Sequence, residues 1–191
     1  MSTSMAPPSG VYVPVPTFFK SSIESSSTLQ PEIDVETQIN HSVYLAKCGI
    51  RGLVLLGSTG EAIHMNRKER FELVSGVRKG LDQAGFHEYP IIAGVLVNNL
   101  EEAIEWCKDF KEAGAQWALV LVPGYFGEQA SQAGIQEWFT KVADNSPIPI
   151  VMWVVYVERI CECMERKLIM TDIIIRASRT MLLSALRRMR N

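Results

Sequence analysis

A chain of 191 residues is long enough for one sizeable core, and 47% hydrophobic against 21% charged residues is an ordinary globular balance. A formal net charge of −2 argues against nucleic acid or an anionic membrane surface as the main partner. No apolar run reaches the roughly 18 residues of a membrane-spanning helix, so no transmembrane helix is predicted.

Met1–Gly10 is rich in Ser and Pro and reads as a disordered N-terminus. Val11–Thr17 alternates apolar residues with Pro14 and Pro16, which predicts a short strand with an irregular end. Asp34 caps a predicted helix carrying Val35, Ile39, Val43 and Ala46 on one face. Gly52–Leu56 is a short apolar run bounded by glycines, the pattern of a strand buried on both faces. Asn66 and Glu69 have the spacing of a capping box, as do Asn99 and Glu102. The helices they open carry Phe71, Val74 and Val77, and Ala103, Trp106, Phe110 and Ala113. Strands Ile91–Val95 and Trp117–Val122 follow these helices in turn. A further helix over about Gln129–Asp144 buries Ile135, Trp138, Phe139 and Val142, and Ile148–Trp153 begins a fifth strand. Glycines 49, 85 and 114 stand where helices favour a left-handed terminal residue.

Strand, loop, helix and glycine therefore recur at about 30 residues per turn, the size of a βαβ unit. The strands must then be parallel, because each crossover carries a helix. No G-x-G-x-x-G follows the first strand, so a dinucleotide-binding fold is disfavoured. The prediction is an α/β fold over 11–153: a partial (β/α)8 barrel of about five parallel strands. Residues 154–191 break the composition. All 13 glycines and all nine prolines precede residue 150, and the tail holds eight Lys or Arg against four Asp or Glu. It reads as a separate tail rather than a sixth unit.

The chemistry concentrates at Gly57-Ser58-Thr59-Gly60-Glu61. Loops at the C-terminal ends of parallel strands carry the function of α/β folds. Gly57 and Gly60 would let the backbone approach a ligand closely, and Ser58 and Thr59 bring two hydroxyls and two N–H donors, the parts that hold a small carboxylate. Glu61 is read as a structural acceptor for backbone N–H groups rather than a general base. His64 is read as a loop residue. His41, His64 and His87 have no metal spacing, and neither metal nor cofactor is predicted. Cys48, Cys107, Cys161 and Cys163 form no C-x-x-C pair and read as reduced thiols. With no Lys or Arg in the first nineteen residues, the expected location is cytoplasmic. The basic end, Arg187-Arg188-Met189-Arg190, reads as a solvated run.

The Gly57–Glu61 turn resembles that of the dihydrodipicolinate synthase / N-acetylneuraminate lyase family of class I aldolases. Val13-Pro14-Val15-Pro16-Thr17-Phe18 resembles the family's first strand, and Cys48-Gly49-Ile50-Arg51-Gly52-Leu53 its entry to the second. Ala93-Gly94-Val95 is similar to the third, Pro123-Gly124-Tyr125-Phe126 to its Pro-Tyr-Tyr loop, and Ser146-Pro147-Ile148-Pro149-Ile150 to the entry of the fifth. Ser58, where many members have Thr, is similar to the branch that cleaves 4-hydroxy-2-oxoglutarate or 2-keto-3-deoxy sugar acids.

The resemblance implies a carbon–carbon lyase that works through a Schiff base between a barrel lysine and pyruvate or another 2-oxo acid. By the resemblance, Gly57, Ser58 and Thr59 hold the substrate carboxylate, and Ser58 and Tyr125 join a hydroxyl relay. Tyr125 aligns with either tyrosine of the family pair; in the other register Phe126 takes the relay position. The implied partner is a small 2-oxo acid, and the resemblance leaves a homo-oligomer open. Two departures matter. The fifth strand ends in Met152-Trp153-Val154-Val155 instead of Tyr-Asn-x-Pro, so Trp153 replaces a relay tyrosine. The sixth strand with its Gly-x-Lys is absent, and Lys167, the only lysine after Lys141, lies in no such context. The chain is therefore expected to be an aldolase cut at its fifth strand and impaired. The alternative is a non-catalytic fragment that associates with other chains through its exposed edge or aggregates.

Overall fold

In a computed structural model, residues 6–21, 29–123 and 131–153 are described. They form β1 (Tyr12–Pro14), α1 (Val35–Lys47), β2 (Gly52–Leu55), α2 (Arg67–Gln83), β3 (Ile91–Val95), α3 (Leu100–Ala113), β4 (Trp117–Leu121), α4 (Gln132–Asn145) and β5 (Ile150–Trp153). A one-turn 3-10 helix, Ala62–His64, lies between β2 and α2. The five strands make one sheet in chain order, and every pair is parallel. A doubly wound sheet reverses its order at a switch point, whereas successive growth in one direction describes an arc of a (β/α)8 barrel. The predicted partial barrel is therefore the observed architecture.

Pro14 is accommodated because it sits in β1, which has a single partner strand among the described residues. Val15 still donates its N–H to the Val54 carbonyl at 3.0 Å, so the prolines on either side of it fall at alternate positions, away from the ladder with β2.

Local capping sets the helix starts. Asp34 accepts from the Thr37 N–H at 3.0 Å and from its hydroxyl at 2.6 Å, and these bonds hold the Asp34 carboxyl below its ordinary pKa. Asn66 and Glu69 form the full reciprocal box, at 3.0 and 2.8 Å. Asn99 accepts from the Glu102 N–H at 3.0 Å, but Glu102 makes no return bond among the described residues, so the expected second box is a single cap. Ser131 caps α4, which starts at Gln132 rather than near Gln129. Gly49, Gly85 and Gly114 are left-handed, at φ 84°, 87° and 96°.

Alternation along the strands sorts their side chains into two layers. Leu53, Leu55, Ile91, Ala93, Val95, Ala118, Val120, Ile150 and Met152 pack into the main core with the helices. Val54, Ile92, Trp117, Leu119, Val151 and Trp153 cluster on the opposite, inner face. On α1 the most buried positions include Gln38 and Ser42, not only the expected aliphatic face. Gly80 explains the shift: a Cβ there would lie on the Ile39 side chain, so α1 approaches α2 through Ile39 at a glycine. At the N-terminal ends of the strands, Arg78 donates to the Tyr89 and Phe86 carbonyls at 2.7 and 2.8 Å. Gln116 accepts from the Ile91 N–H at 2.9 Å nearby.

Two outcomes follow. Asp34→Ala should lower stability by about 1 kcal/mol at pH 7. A depressed carboxyl pKa contributes above its unfolded value and is lost as pH falls, so the difference should shrink in urea titrations at acid pH, where the neutral acid remains a weaker cap; a pH-independent difference would contradict the capping account. Burial pushes the Cys107 thiol up to about 11, while Cys48 is exposed. Iodoacetamide at pH 8 should therefore modify Cys48 and spare Cys107 until denaturant is added, as read by peptide mapping. Equal labelling of the two in the native protein would contradict the packing around α3.

Candidate functional site

β2 stops at Leu55, one residue short of the expected strand, because Leu56 turns into the left-handed region at φ 59°. Gly94 in the middle of β3 makes room for that turn. A Cβ on Gly94 would coincide with the Leu56 carbonyl group, so only a glycine admits it. Residues 57–60 then close a tight turn through the Gly60 N–H to the Gly57 carbonyl, 3.0 Å. A second turn overlaps it, with Glu61 N–H on the Ser58 carbonyl at 3.2 Å. Glu61 is itself left-handed, at φ 52°, and leads into the 3-10 helix.

The turn is thus bracketed by two left-handed non-glycine residues, each costing about 1–2 kcal/mol. Such conformations persist only where the surroundings hold them, and they cluster at functional sites. The holding contacts are visible. Thr17, buried after β1, donates its hydroxyl to the Gly60 carbonyl at 2.6 Å. A Cβ at Gly60 would lie 2.9 Å from the Leu56 nitrogen and 3.1 Å from the Val15 carbonyl oxygen, so this glycine is needed for close packing. At Gly57 a Cβ would meet nothing within 4 Å, so no packing within the chain requires this glycine. Downstream, buried Arg70 donates to the Met65 carbonyl and lies 3.5 Å from the centre of the Trp106 ring, tying the end of the loop to α3. Burial lowers the Arg70 pKa from its ordinary value.

Ser58 and Thr59 stand exposed at the tip, at the C-terminal end of the sheet. Among the described residues, neither their N–H groups nor their hydroxyls have a hydrogen-bond partner. The arrangement leaves two adjacent residues with hydroxyl and N–H donors open to solvent at this end of the sheet. They supply no nucleophile strong enough for carbon–carbon bond chemistry.

The other expected residues fall as follows. Tyr125 and Phe126 lie in 124–130, outside the described residues. Trp153 stands on the inner face, paired in register with Leu121, at the same end of the sheet as the turn. Its indole is a donor only and cannot relay a proton. Glu61 is exposed and its carboxylate accepts no backbone N–H among the described residues; its backbone, not its side chain, shapes the loop. His64 is exposed at the end of the 3-10 helix. No group of three His, Cys, Asp or Glu among the described residues is placed to hold a metal ion. None of the five strands carries a lysine. Residues 154–191, including Lys167, lie outside the described residues.

Sequence reasoning missed Thr17 and Gly94 as supports of the turn. A glycine inside an apolar strand signals a close backbone approach, so Gly94 carried a readable signal; Thr17 carried none.

Comparison with known proteins agrees with this fold. The model of the dihydrodipicolinate synthetase family matches residues 17–159. The chain is 43% identical over 152 residues to an L-threo-3-deoxy-hexylosonate aldolase of Hypocrea jecorina, covering 78% of this chain and 46% of that protein. It is 40% identical over 144 residues to a protein of Emericella nidulans named "Probable 4-hydroxy-2-oxoglutarate aldolase, mitochondrial", covering 75% and 44%. The crystal structure of YagE, a prophage protein of the dihydrodipicolinic acid synthase family from E. coli K12 in complex with pyruvate, superposes with a TM-score of 0.64 at 27% identity, over 76% of this chain and 44% of that one. The chain spans about half the length of the curated relatives it matches.

The turn's dependence on Gly94 is open to direct measurement. Gly94→Ala should cost about 2–3 kcal/mol in urea unfolding and shift the amide resonances of Ser58 and Thr59. An alanine variant of unchanged stability and unchanged amide shifts would contradict the contact between Gly94 and Leu56.

Proposed function

The chain belongs to the dihydrodipicolinate synthetase family, and from that premise we propose that it carries the carboxylate-binding half of a carbon–carbon lyase acting on 2-oxo acids through a Schiff base. The observation that carries this reading is the strained turn presenting Ser58 and Thr59, with unengaged donors, at the C-terminal end of the sheet. The named activities of the two relatives point to the substrate class, a 3-deoxy-2-oxo sugar acid or 4-hydroxy-2-oxoglutarate.

In the proposed reaction a lysine amine adds to the C2 ketone and water leaves, giving an iminium. The C4 hydroxyl passes its proton to the hydroxyl relay as the C3–C4 bond breaks, the electron pair of that bond moves into the iminium as an enamine, and an aldehyde departs. Protonation of C3 and hydrolysis return pyruvate and the free amine. Ser58 and Thr59 hold the C1 carboxylate through this sequence, with the Gly57 backbone beside them. Ser58 and Tyr125 are the proposed hydroxyl relay. By the family resemblance Trp153 stands in place of a relay tyrosine, and its indole cannot exchange a proton.

The amine is the component that no described strand provides. The proposal for this 191-residue polypeptide is therefore binding without turnover: it takes up a 2-oxo acid at the turn and forms no imine. Borohydride reduction in the presence of pyruvate should leave the intact mass unchanged, while pyruvate titration should shift the Ser58 and Thr59 amides. A stoichiometric reduced adduct on any lysine would show that the polypeptide has a working Schiff-base centre. A second reading, association with other chains, is favoured by β1 and β5, each of which has one strand partner among the described residues.

A further inference from the structure

We propose that Thr17 is a positioning residue of the 2-oxo acid site, setting the carboxylate-binding turn from the first strand without touching the ligand. The inference rests on the reading of Ser58 and Thr59 as carboxylate donors.

Among the described residues, the Thr17 hydroxyl is the one hydrogen bond that reaches residues 57–61 from another part of the chain. It meets the turn at a decisive peptide. The carbonyl of Gly60 accepts from Thr17 at 2.6 Å, and the N–H of the same peptide, that of Glu61, donates to the Ser58 carbonyl at 3.2 Å. The plane of the 60–61 peptide is therefore fixed at both ends. Through its N–H, that plane sets the Ser58 carbonyl, and with it the Ser58–Thr59 peptide whose N–H belongs to the proposed receptor. It also holds Glu61 at φ 52°, a conformation that the residue would leave if unrestrained.

Thr17 is itself anchored. Phe18, the next residue, donates its N–H to Oε1 of Gln38 at 3.2 Å and accepts from the Asp34 N–H at 2.8 Å. Gln38 is 1% exposed, inside α1. A continuous path of hydrogen bonds and backbone thus runs from the interior of α1 through 17–18 to the turn. It engages the Oε1 of a glutamine at one of the least exposed positions of the helix, whose Nε2 has no partner among the described residues. Pro16, with its fixed φ, stiffens the approach to Thr17.

The test uses Thr17→Val, which keeps the shape and deletes the hydroxyl, and Thr17→Ser, which keeps the hydroxyl. Ser146→Ala serves as a control: it removes another buried hydroxyl, which donates to the Ile148 carbonyl at 2.6 Å, at the opposite end of the sheet. Pyruvate is titrated into each full-length protein, and binding is read at the Ser58 and Thr59 amides. Thr17→Val should weaken pyruvate about tenfold, Thr17→Ser should restore it to within about twofold, and Ser146→Ala should lower thermal stability while leaving the affinity unchanged. If wild type binds and Thr17→Val, folded by its amide spectrum, binds equally well, the positioning role is overturned and the site reading stands. If Thr17→Val does not fold, the serine variant decides: native affinity supports the role of the hydroxyl, and lost affinity in a folded serine variant overturns it. If pyruvate moves no amide of the turn in wild type, the site reading falls, and the positioning role falls with it.

Discussion

A leucine held at φ 59° costs about 1–2 kcal/mol relative to an ordinary backbone conformation, so Leu56 keeps that geometry only because its neighbours leave it no other. Gly94 leaves the space into which the Leu56 carbonyl turns, Gly60 packs against the Leu56 nitrogen, and Thr17 grips the far side of the turn. These supports come from β3, from the loop itself and from the segment after β1. The exposed pair Ser58–Thr59 is thus defined by three strands that must first be in register. The site is a property of the assembled sheet, although its donors are adjacent in sequence.

This division explains what the sequence revealed and what it concealed. Helix starts and stops are local, so the caps at Asp34 and Asn66 and the left-handed glycines at 49, 85 and 114 were readable in advance. The Gly-Ser-Thr-Gly-Glu turn was readable for the same reason. Element ends governed by distant atoms were not. β2 loses Leu56 to a contact with β3; the start of β5 at Ile150 rather than Ile148 is by contrast local, because Pro149 has no N–H to give to a ladder. Gln38 and Ser42 are buried on α1 because Ile39 is drawn into the glycine face of α2, which no pattern within α1 discloses. The carboxylate of Glu61 was assigned a structural role that its backbone performs instead.

The two faces of the sheet divide labour in a way that bears on chemistry. The helix-facing side is a continuous apolar core, whereas the inner face is small and ends, near the turn, in Leu121 and Trp153. Buried indole nitrogens at Trp117 and Trp138 have no partner among the described residues, a cost of about 1–3 kcal/mol for each unsatisfied donor. The inner face thus offers bulk, one idle donor and the Tyr12 phenol, which is engaged with the Pro8 carbonyl at 2.8 Å, but no amine from the described strands. On the proposed reading, binding and bond-making are separable, since the proposed carboxylate donors lie on the loop and a covalent step would need a group from elsewhere.

The chain-ordered sheet also has a kinetic meaning. Each strand pairs with the strand that immediately precedes or follows it in the sequence, so every ladder can form once a single intervening helix has been made. Folding rates fall as contacts become more distant along the chain, and growth between sequence neighbours keeps the loops to be closed short. Such a sheet can lengthen stave by stave as the polypeptide leaves the ribosome, with the α1–α2 packing in place before α4 has been synthesised. On that schedule the Gly57–Glu61 turn matures when β3 docks against β2, long before the last residues of the chain exist.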